Sequence, residues 1–219
     1  MTELIIFDLD GTLLDTSVGL NVCMNEALLK LGLPEISLDD TKRFVGNGIK
    51  KYCERAIKTD EQKTADECYR LFMDFYRTGK TQGCRLYDGM GETLEALKKN
   101  GVKLAVLSNK AHEMTVSFYN EFLRDYDFDC VLGNTDKSKL KPSPAGVFSI
   151  LGQTGATPKK TLLTGDGETD VLTAKNAAIG CLSALWGFRS KAELLSAGAT
   201  TFVNRPTEII DYALNYLSD

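Results

Sequence analysis

Four apolar residues, Leu4-Ile5-Ile6-Phe7, run straight into Asp8-Leu9-Asp10-Gly11-Thr12, and no convincing second strand follows until past Gly83. The run is short, β-branched and aromatic, and glycine soon closes it, so it reads as a buried strand spilling into a loop. The two acids therefore stand at a strand's carboxyl end, where open α/β sheets bind their ligands. Like charges set that close call for a cation or a proton. An EF-hand loop, with oxygen ligands at its first, third and fifth positions and glycine at its sixth, is excluded. Here Gly11 is fourth, Leu13 is sixth, and no helix precedes. On this segment alone a surface turn, using Asp and Gly for their backbone tolerance, stays open.

Composition bounds what the chain can be without deciding it. With 219 residues, 43% hydrophobic, the chain has material for a full core in one large domain or two modest ones. No apolar run approaches about 20 residues, and no basic segment precedes the first apolar stretch. Neither a membrane span nor a signal peptide is expected, and the expected location is cytoplasmic. Cys23, Cys53, Cys68, Cys84, Cys130 and Cys181 fall singly, and the chain holds 1 histidine, so zinc-ligand spacing is absent and reduced packing thiols are expected. A net charge of −4 argues against a nucleic-acid backbone as the main partner while leaving room for a small anionic substrate.

Val18 to Leu31 is helical in period and closes on Gly32 and Pro34; Asp60 to Tyr76 is a second such stretch before Gly79. Past Gly83 the pattern changes. Met90, Leu94 and Leu97 repeat at helical spacing before Gly101, and Val102 to Leu107 follows as a strand. Phe128 to Leu132, Thr161 to Thr164 and Cys181 to Leu185 read as further strands. Ala111 to Phe122, Pro144 to Leu151, Val171 to Ala178 and Lys191 to Ala197 read as helices. Strand-helix alternation predicts right-handed crossovers and a parallel, doubly wound α/β sheet of Rossmann-like type. Since Leu4 to Phe7 needs a sheet to join, the helical block is expected to be an insertion. The expected division is a core of residues 1–15 and 85–219 with a helical cap over 16–84.

Three more strand ends carry polar groups. Ser108-Asn109 offers a hydroxyl and then backbone N–H groups at an expected helix start, an anion-binding arrangement, with simple N-capping as the alternative. Ser143 and Pro144 make a good N-cap and first helical position, which holds Lys141 just ahead of a helix N-terminus. A lysine is electrostatically wrong there unless an anion lies between them; a solvated surface lysine is the alternative. Leu162-Leu163-Thr164-Gly165-Asp166-Gly167-Glu168-Thr169-Asp170 superficially offers a dinucleotide fingerprint, but Asp170 occupies the third glycine and two acids would repel a pyrophosphate. Glu168 and Asp170 suit a first helical turn. Asp166, at a strand end like Asp8 and with no His or Cys nearby, suits Mg²⁺.

Taken in order, D-x-D-G-T, Ser108, Lys141 and G-D-x-x-x-D resemble the four motifs of the haloacid dehalogenase (HAD) superfamily, whose members are mostly phosphohydrolases, and the resemblance covers the chain end to end. Arg43-Phe44-Val45-Gly46-Asn47-Gly48, Tyr87-Asp88-Gly89 and Trp186-Gly187-Phe188-Arg189 are similar to segments of the phosphoglycolate phosphatase branch, which carries a helical cap after the first motif. Gly167 stands where the fourth motif commonly has serine. The resemblance implies that Asp8 is the nucleophile, forming an aspartyl-phosphate, and that Asp10 is the general acid and base. It implies Mg²⁺ held by Asp8, the Asp10 backbone carbonyl and Asp166, with Asp170 in support. Ser108, Lys141 and the backbone N–H groups of Leu9 and Asn109 would hold phosphoryl oxygens, and Thr12 would support the first loop.

The substrate so implied is a small phosphorylated metabolite, with neither nucleic acid nor membrane as partner, acted on by a monomer or homodimer. Arg43, Asn47 and Arg189 are candidates for specificity, each equally readable as surface charge or turn residue. A mutase such as β-phosphoglucomutase, a pyrophosphatase or a nucleotidase would use the same core. A phospho-accepting signalling receiver also sets acids, a hydroxyl and a lysine around Mg²⁺, but has no reason to interpose the long helical block.

Overall fold

Strand β1 (Leu4–Phe7) has parallel partners on both sides: Leu4 to Phe7 pair with Lys103 to Val106 and with Thr161 to Thr164. Those partners belong to β4 (Lys103–Ala111) and β6 (Thr161–Gly165), and β5 (Cys130–Asn134), β7 (Gly180–Ala184) and β8 (Phe202–Val203) complete a 6-stranded sheet in the order β5-β4-β1-β6-β7-β8. The neighbouring strands all run parallel. From β1 the chain builds β4 and β5 to one side and β6, β7 and β8 to the other, so the winding reverses at β1. Ligand sites of open α/β sheets lie outside the strand ends at such a reversal.

The computed structural model describes residues 1–59, 61–79, 82–135 and 140–215. The chain divides into two compact units, Met1–Leu14 with Leu86–Asp219, and Asp15–Arg85. In the first, helices α5 (Met90–Lys99), α6 (His112–Phe118), α7 (Ala145–Thr154), α8 (Glu168–Ala177), α9 (Lys191–Ser196) and α10 (Glu208–Asn215) flank the sheet. All four β1 side chains are buried, as a central strand requires. Alternation sends Leu4 and Ile6 to one face, where they cluster with Ala105, Leu107 and Leu163, with Val147, Ile150 and Leu151 of α7, and with Ala174 and Ala177 of α8. Phe7, on the other face, meets the Phe128 ring edge-on at 6.4 Å. Each such large apolar side chain contributes about 1.5–3 kcal/mol by leaving water.

The second unit holds α1 (Ser17–Lys30), α2 (Leu38–Phe44), α3 (Ile49–Ile57) and α4 (Gln62–Gly79) around Tyr52, Cys53, Cys68, Phe72 and Tyr76, all fully buried. The Phe72 ring stacks on Tyr76 at 5.0 Å and meets Tyr52 at 5.8 Å. Ser37 and Asp40 form a capping box that starts α2. Asp60, the expected start of the second helical stretch, lies outside the described residues, and α4 is described from Gln62. Two short strands, β2 (Leu14–Asp15) and β3 (Arg85–Leu86), form a separate sheet. Among the described residues no helix is long and apolar enough to cross a membrane, and the six cysteines are free.

Two local expectations are corrected. β4 does not stop at Leu107 but runs through Ser108, Asn109 and Lys110 to Ala111, with an irregular register between Leu107 and Ala111, and α6 begins only at His112. Ser108 and Asn109 are thus strand residues, not a helix start, because Ala111 still pairs with Asn134 of β5. Pro144 is the N-cap of α7 and not its first residue, and Ser143 Oγ accepts a long bond of 3.4 Å from the Ala145 N–H. The fixed φ of proline fits either place.

Candidate active site

The carboxyl end of β1 is continued for one residue by the sheet itself: the Asp8 N–H donates to the Thr164 carbonyl at 2.9 Å. That bond fixes where the Asp8 side chain starts. Its Oδ1 accepts from the Leu9 N–H at 2.7 Å and lies 2.8 Å from Lys141 Nζ. Lys141 Nζ also donates to Asp170 Oδ1 at 2.6 Å, so one ammonium bridges two carboxylates. The side chains of Lys141 and Asp170 are 2% and 1% exposed, that of Asp8 15%. Asp170 stands in the first turn of α8, where its Oδ2 accepts from the Gly167 N–H at 3.0 Å. The missing serine hydroxyl at position 167 leaves that backbone bond intact.

Asp166 follows β6 and is held at both oxygens, by Thr12 Oγ1 at 2.9 Å and by the Phe188 N–H at 2.7 Å. Trp186 Nε1 donates to the Thr12 carbonyl at 3.0 Å, tying the loop after β1 to the segment after β7. Two glycines make room for this carboxylate. Gly11 has φ +87, and a Cβ there would lie 2.7 Å from Asp166 Cγ; at Gly187 the distance would be 2.5 Å. No side chain fits at either place, and Gly11 in addition needs a backbone that L-residues rarely adopt.

Burial is the largest influence on Asp8 and Asp166. It pushes Asp8 up to about 8, with Asp170 and Asp166 adding to the rise and the Lys141 charge opposing it. Burial also raises Asp166 to about 6, helped by Asp170 and countered by the Phe188 N–H, Thr12 and Arg189. Burial works against the Lys141 ammonium, but Asp170 and Asp8 outweigh it and hold the group above the ordinary lysine range.

One lysine cannot balance three carboxylates. Oxygens of Asp8, Asp166 and Asp170 all lie within 4.8 Å of one another, a donor set without nitrogen or sulfur that could hold a hard divalent cation. Asp170 already spends both oxygens on Lys141 and Gly167, which suits it to orienting the lysine. Asp8, Thr12, Lys141, Asp166 and Asp170 are therefore brought together. Asn109 joins them indirectly: its Nδ2 donates to the Lys141 carbonyl at 3.1 Å and its Oδ1 accepts from the Lys141 N–H at 2.7 Å, fixing that backbone. Ser108 Oγ accepts from the Lys110 N–H at 3.2 Å.

Sequence reasoning missed Lys110. Its Nζ lies 2.6 and 2.8 Å from the two oxygens of Asp10 and 4.4 Å from the Phe118 ring centroid. The signal available was a lysine one residue beyond Ser108-Asn109, but an expected strand end at Leu107 hid it. Arg189, buried, reaches both oxygens of Glu168 at 3.3 and 3.1 Å. Arg43 and Asn47 belong to the second unit, where Arg43 pairs with Asp40 and Asn47 Oδ1 accepts from Arg55 Nη2 at 2.8 Å.

Residues 5–184 match the family model for haloacid dehalogenase-like hydrolases. The phosphoglycolate phosphatase of Aquifex aeolicus is 31% identical over 98% of this chain and 98% of its own length, and that of Pseudomonas putida 30% identical over 86% and 71%. A solved structure from Haemophilus somnus, described as a predicted phosphoglycolate phosphatase, superposes with a TM-score of 0.88 at 28% identity, covering 96% of this chain and 97% of that one. With Asp8 and Asp166 closing β1 and β6, Lys141 bridging Asp8 to Asp170, and residues 5–184 matched by the family model, this protein belongs to the haloacid dehalogenase-like hydrolase family.

Proposed function

We propose that this phosphatase hydrolyses a small phosphomonoester through an aspartyl-phosphate on Asp8, and that phosphoglycolate is its substrate. The observation that carries the reading is the Lys141 bridge: Nζ grips Asp8 Oδ1 at 2.8 Å and Asp170 Oδ1 at 2.6 Å, beside the trio of acids suited to a hard cation. A carboxylate anchored by an ammonium and by the Leu9 N–H is oriented rather than free to rotate, as a nucleophile must be.

An Asp8 oxygen attacks phosphorus, the bond from phosphorus to the substrate oxygen breaks, and Asp10 passes its proton to that oxygen as the alcohol leaves. Water then attacks the phosphorus and gives a proton to Asp10; the bond to Asp8 breaks and inorganic phosphate is released. The proton taken from water in one turnover is the proton that the next leaving group receives. Lys141 neutralises charge on the phosphoryl group, the main source of rate in phosphoryl transfer. Mg²⁺, which the Asp8 and Asp166 carboxylates and the Asp10 backbone carbonyl would hold, supplies further charge neutralisation when bound. The names of the relatives support the substrate, since the likeness to the Aquifex aeolicus phosphoglycolate phosphatase spans 98% of both chains.

The test is acid-quenched intact-mass and peptide analysis during turnover of phosphoglycolate with Mg²⁺. One phosphoryl adduct on the peptide carrying Asp8, absent in Asp8→Asn together with turnover, is expected. Turnover in Asp8→Asn at a tenth of the wild-type rate would exclude Asp8 as nucleophile, since loss of covalent catalysis costs orders of magnitude. Full activity in excess EDTA would remove the metal from the reading.

A further inference from the structure

We propose that Lys110 is a positioning residue for Asp10, holding the acid-base carboxylate in line with the leaving oxygen. The inference rests on the reading of Asp10 as general acid and base. Three observations carry it. Lys110 Nζ contacts both Asp10 oxygens, at 2.6 and 2.8 Å, so the carboxylate can neither rotate about its last bond nor swing away without losing a contact. The lysine side chain is 1% exposed and that of Asp10 13%, so neither water nor salt screens the pair well. The ammonium is itself fixed, 4.4 Å from the Phe118 ring centroid, at the end of a strand whose irregular register between Leu107 and Ala111 is where Lys110 falls.

A surface ion pair would be worth little and would say nothing about chemistry. This one spans 100 residues of sequence to join the loop after β1, the strand where the winding reverses, to the last residues of β4. It also fits the reaction sequence. When Asp10 gives its proton to the departing oxygen it becomes a carboxylate, and the pair with Lys110 is the state that results. There it waits, oriented, until water supplies the next proton. Nothing else is consumed: Lys110 keeps its charge throughout, and the proton moves only between Asp10, the leaving oxygen and water.

A positioning role separates from a structural one by its dependence on the leaving group. Phosphoglycolate releases an alkoxide that needs a proton, whereas p-nitrophenyl phosphate releases a phenolate that does not, and kcat/KM reports only steps up to aspartyl-phosphate formation. Lys110→Met should lower kcat/KM for phosphoglycolate by about 10–100-fold, a large part of what general acid catalysis supplies, and that for p-nitrophenyl phosphate by less than about 3-fold. In the Asp10→Asn background the same change should add no further selective loss, because residues acting as a unit are not additive. Equal losses on both substrates in folded Lys110→Met, or the same selective loss repeated on top of Asp10→Asn, would overturn the proposal. If Lys110→Met does not fold, Asp10→Asn/Lys110→Met, which buries no unpaired charge, is compared with Asp10→Asn and decides alone. Should Asp10→Asn itself show no leaving-group dependence, the acid-base reading of Asp10 fails; should Asp10→Asn show it and Lys110→Met not, only the role of Lys110 falls.

Discussion

Lys141 and Asp170 meet at 2.6 Å across 29 residues of sequence, both buried, with Asp8 as the lysine's second partner. A buried pair of this kind is weak evidence of net stabilisation, but removing one member leaves the other charge uncompensated. Lys141→Met strands two carboxylates and should lower the unfolding free energy of the metal-free protein by about 3–5 kcal/mol at pH 8. Asp170→Asn leaves Lys141 its bond to Asp8 and should cost less. Urea unfolding of both variants in EDTA checks the order; an equal or greater loss in Asp170→Asn would show that Asp8 contributes little to holding the lysine.

The same cluster makes stability fall with pH when metal is withheld. Unfolded, Asp8 and Asp166 titrate near 3.8; folded, burial raises them to about 8 and about 6. Between those values the folded chain keeps protons that the unfolded chain has released, so rising pH favours unfolding. The contribution is complete below the unfolded value and is lost as pH climbs through 6 and then 8. Glu3, Asp40 and Glu67 are lowered instead and act in the opposite sense, but only as pH falls below about 4.5. In EDTA the urea midpoint should therefore be lower at pH 8 than at pH 5, and Asp8→Asn should flatten the difference. A midpoint that rises over this interval would contradict the buried, raised state of Asp8.

Much of this site was legible because its acids end apolar runs. A buried strand that stops at a carboxylate leaves few places for the charge, and Asp8 and Asp166 lie where the runs Leu4 to Phe7 and Thr161 to Thr164 put them. The parallel, doubly wound sheet was legible too, from strand-helix alternation. Strand order was not, since it depends on pairings such as Leu4 with both Lys103 and Thr161 that leave no local trace. Next to a helix start, the sequence leaves Lys141 open to an anion partner or to solvent; the carboxylates beside it, Asp8 and Asp170, are carried on other elements and leave no local trace. Lys110 was invisible for a similar reason. The extension of β4 past Leu107 comes from pairing with β5, and only that extension faces Lys110 toward Asp10.

Thr12 offers a test of the proposed cation site that leaves every carboxylate in place. Its hydroxyl donates to Asp166 Oδ1 at 2.9 Å from a fully buried position. Thr12→Val keeps the shape and removes the donor, so one oxygen of Asp166 loses its anchor. Supporting partners of this kind typically change metal affinity by about 10–100-fold. Titration calorimetry with Mg²⁺ should show a weakening in that range with little change in thermal midpoint. An unchanged affinity would mean that the Phe188 N–H, at 2.7 Å from Oδ2, suffices to orient Asp166.

Two glycine substitutions should act in opposite directions, and together they separate site geometry from stability. At Gly187 an added Cβ would lie 2.5 Å from Asp166 Cγ, so Asp166 or the segment after β7 must shift. Protein interiors absorb such overlaps poorly, at a cost of typically about 1–3 kcal/mol. Because the displaced atom belongs to the carboxylate between Thr12 and Phe188, Gly187→Ala should also weaken Mg²⁺ binding and lower turnover by at least about 10-fold, as loss of second-sphere support does. Gly152 sits in α7, exposed, with nothing within 4 Å of its would-be Cβ. There alanine only removes backbone freedom from the unfolded chain and improves helix propensity, so Gly152→Ala should raise stability by about 0.5–1 kcal/mol and leave activity unchanged. Thermal unfolding and steady-state kinetics on the pair give the readout. If Gly187→Ala proves as active as Gly152→Ala, Asp166 is not confined by the backbone in the way the structure shows.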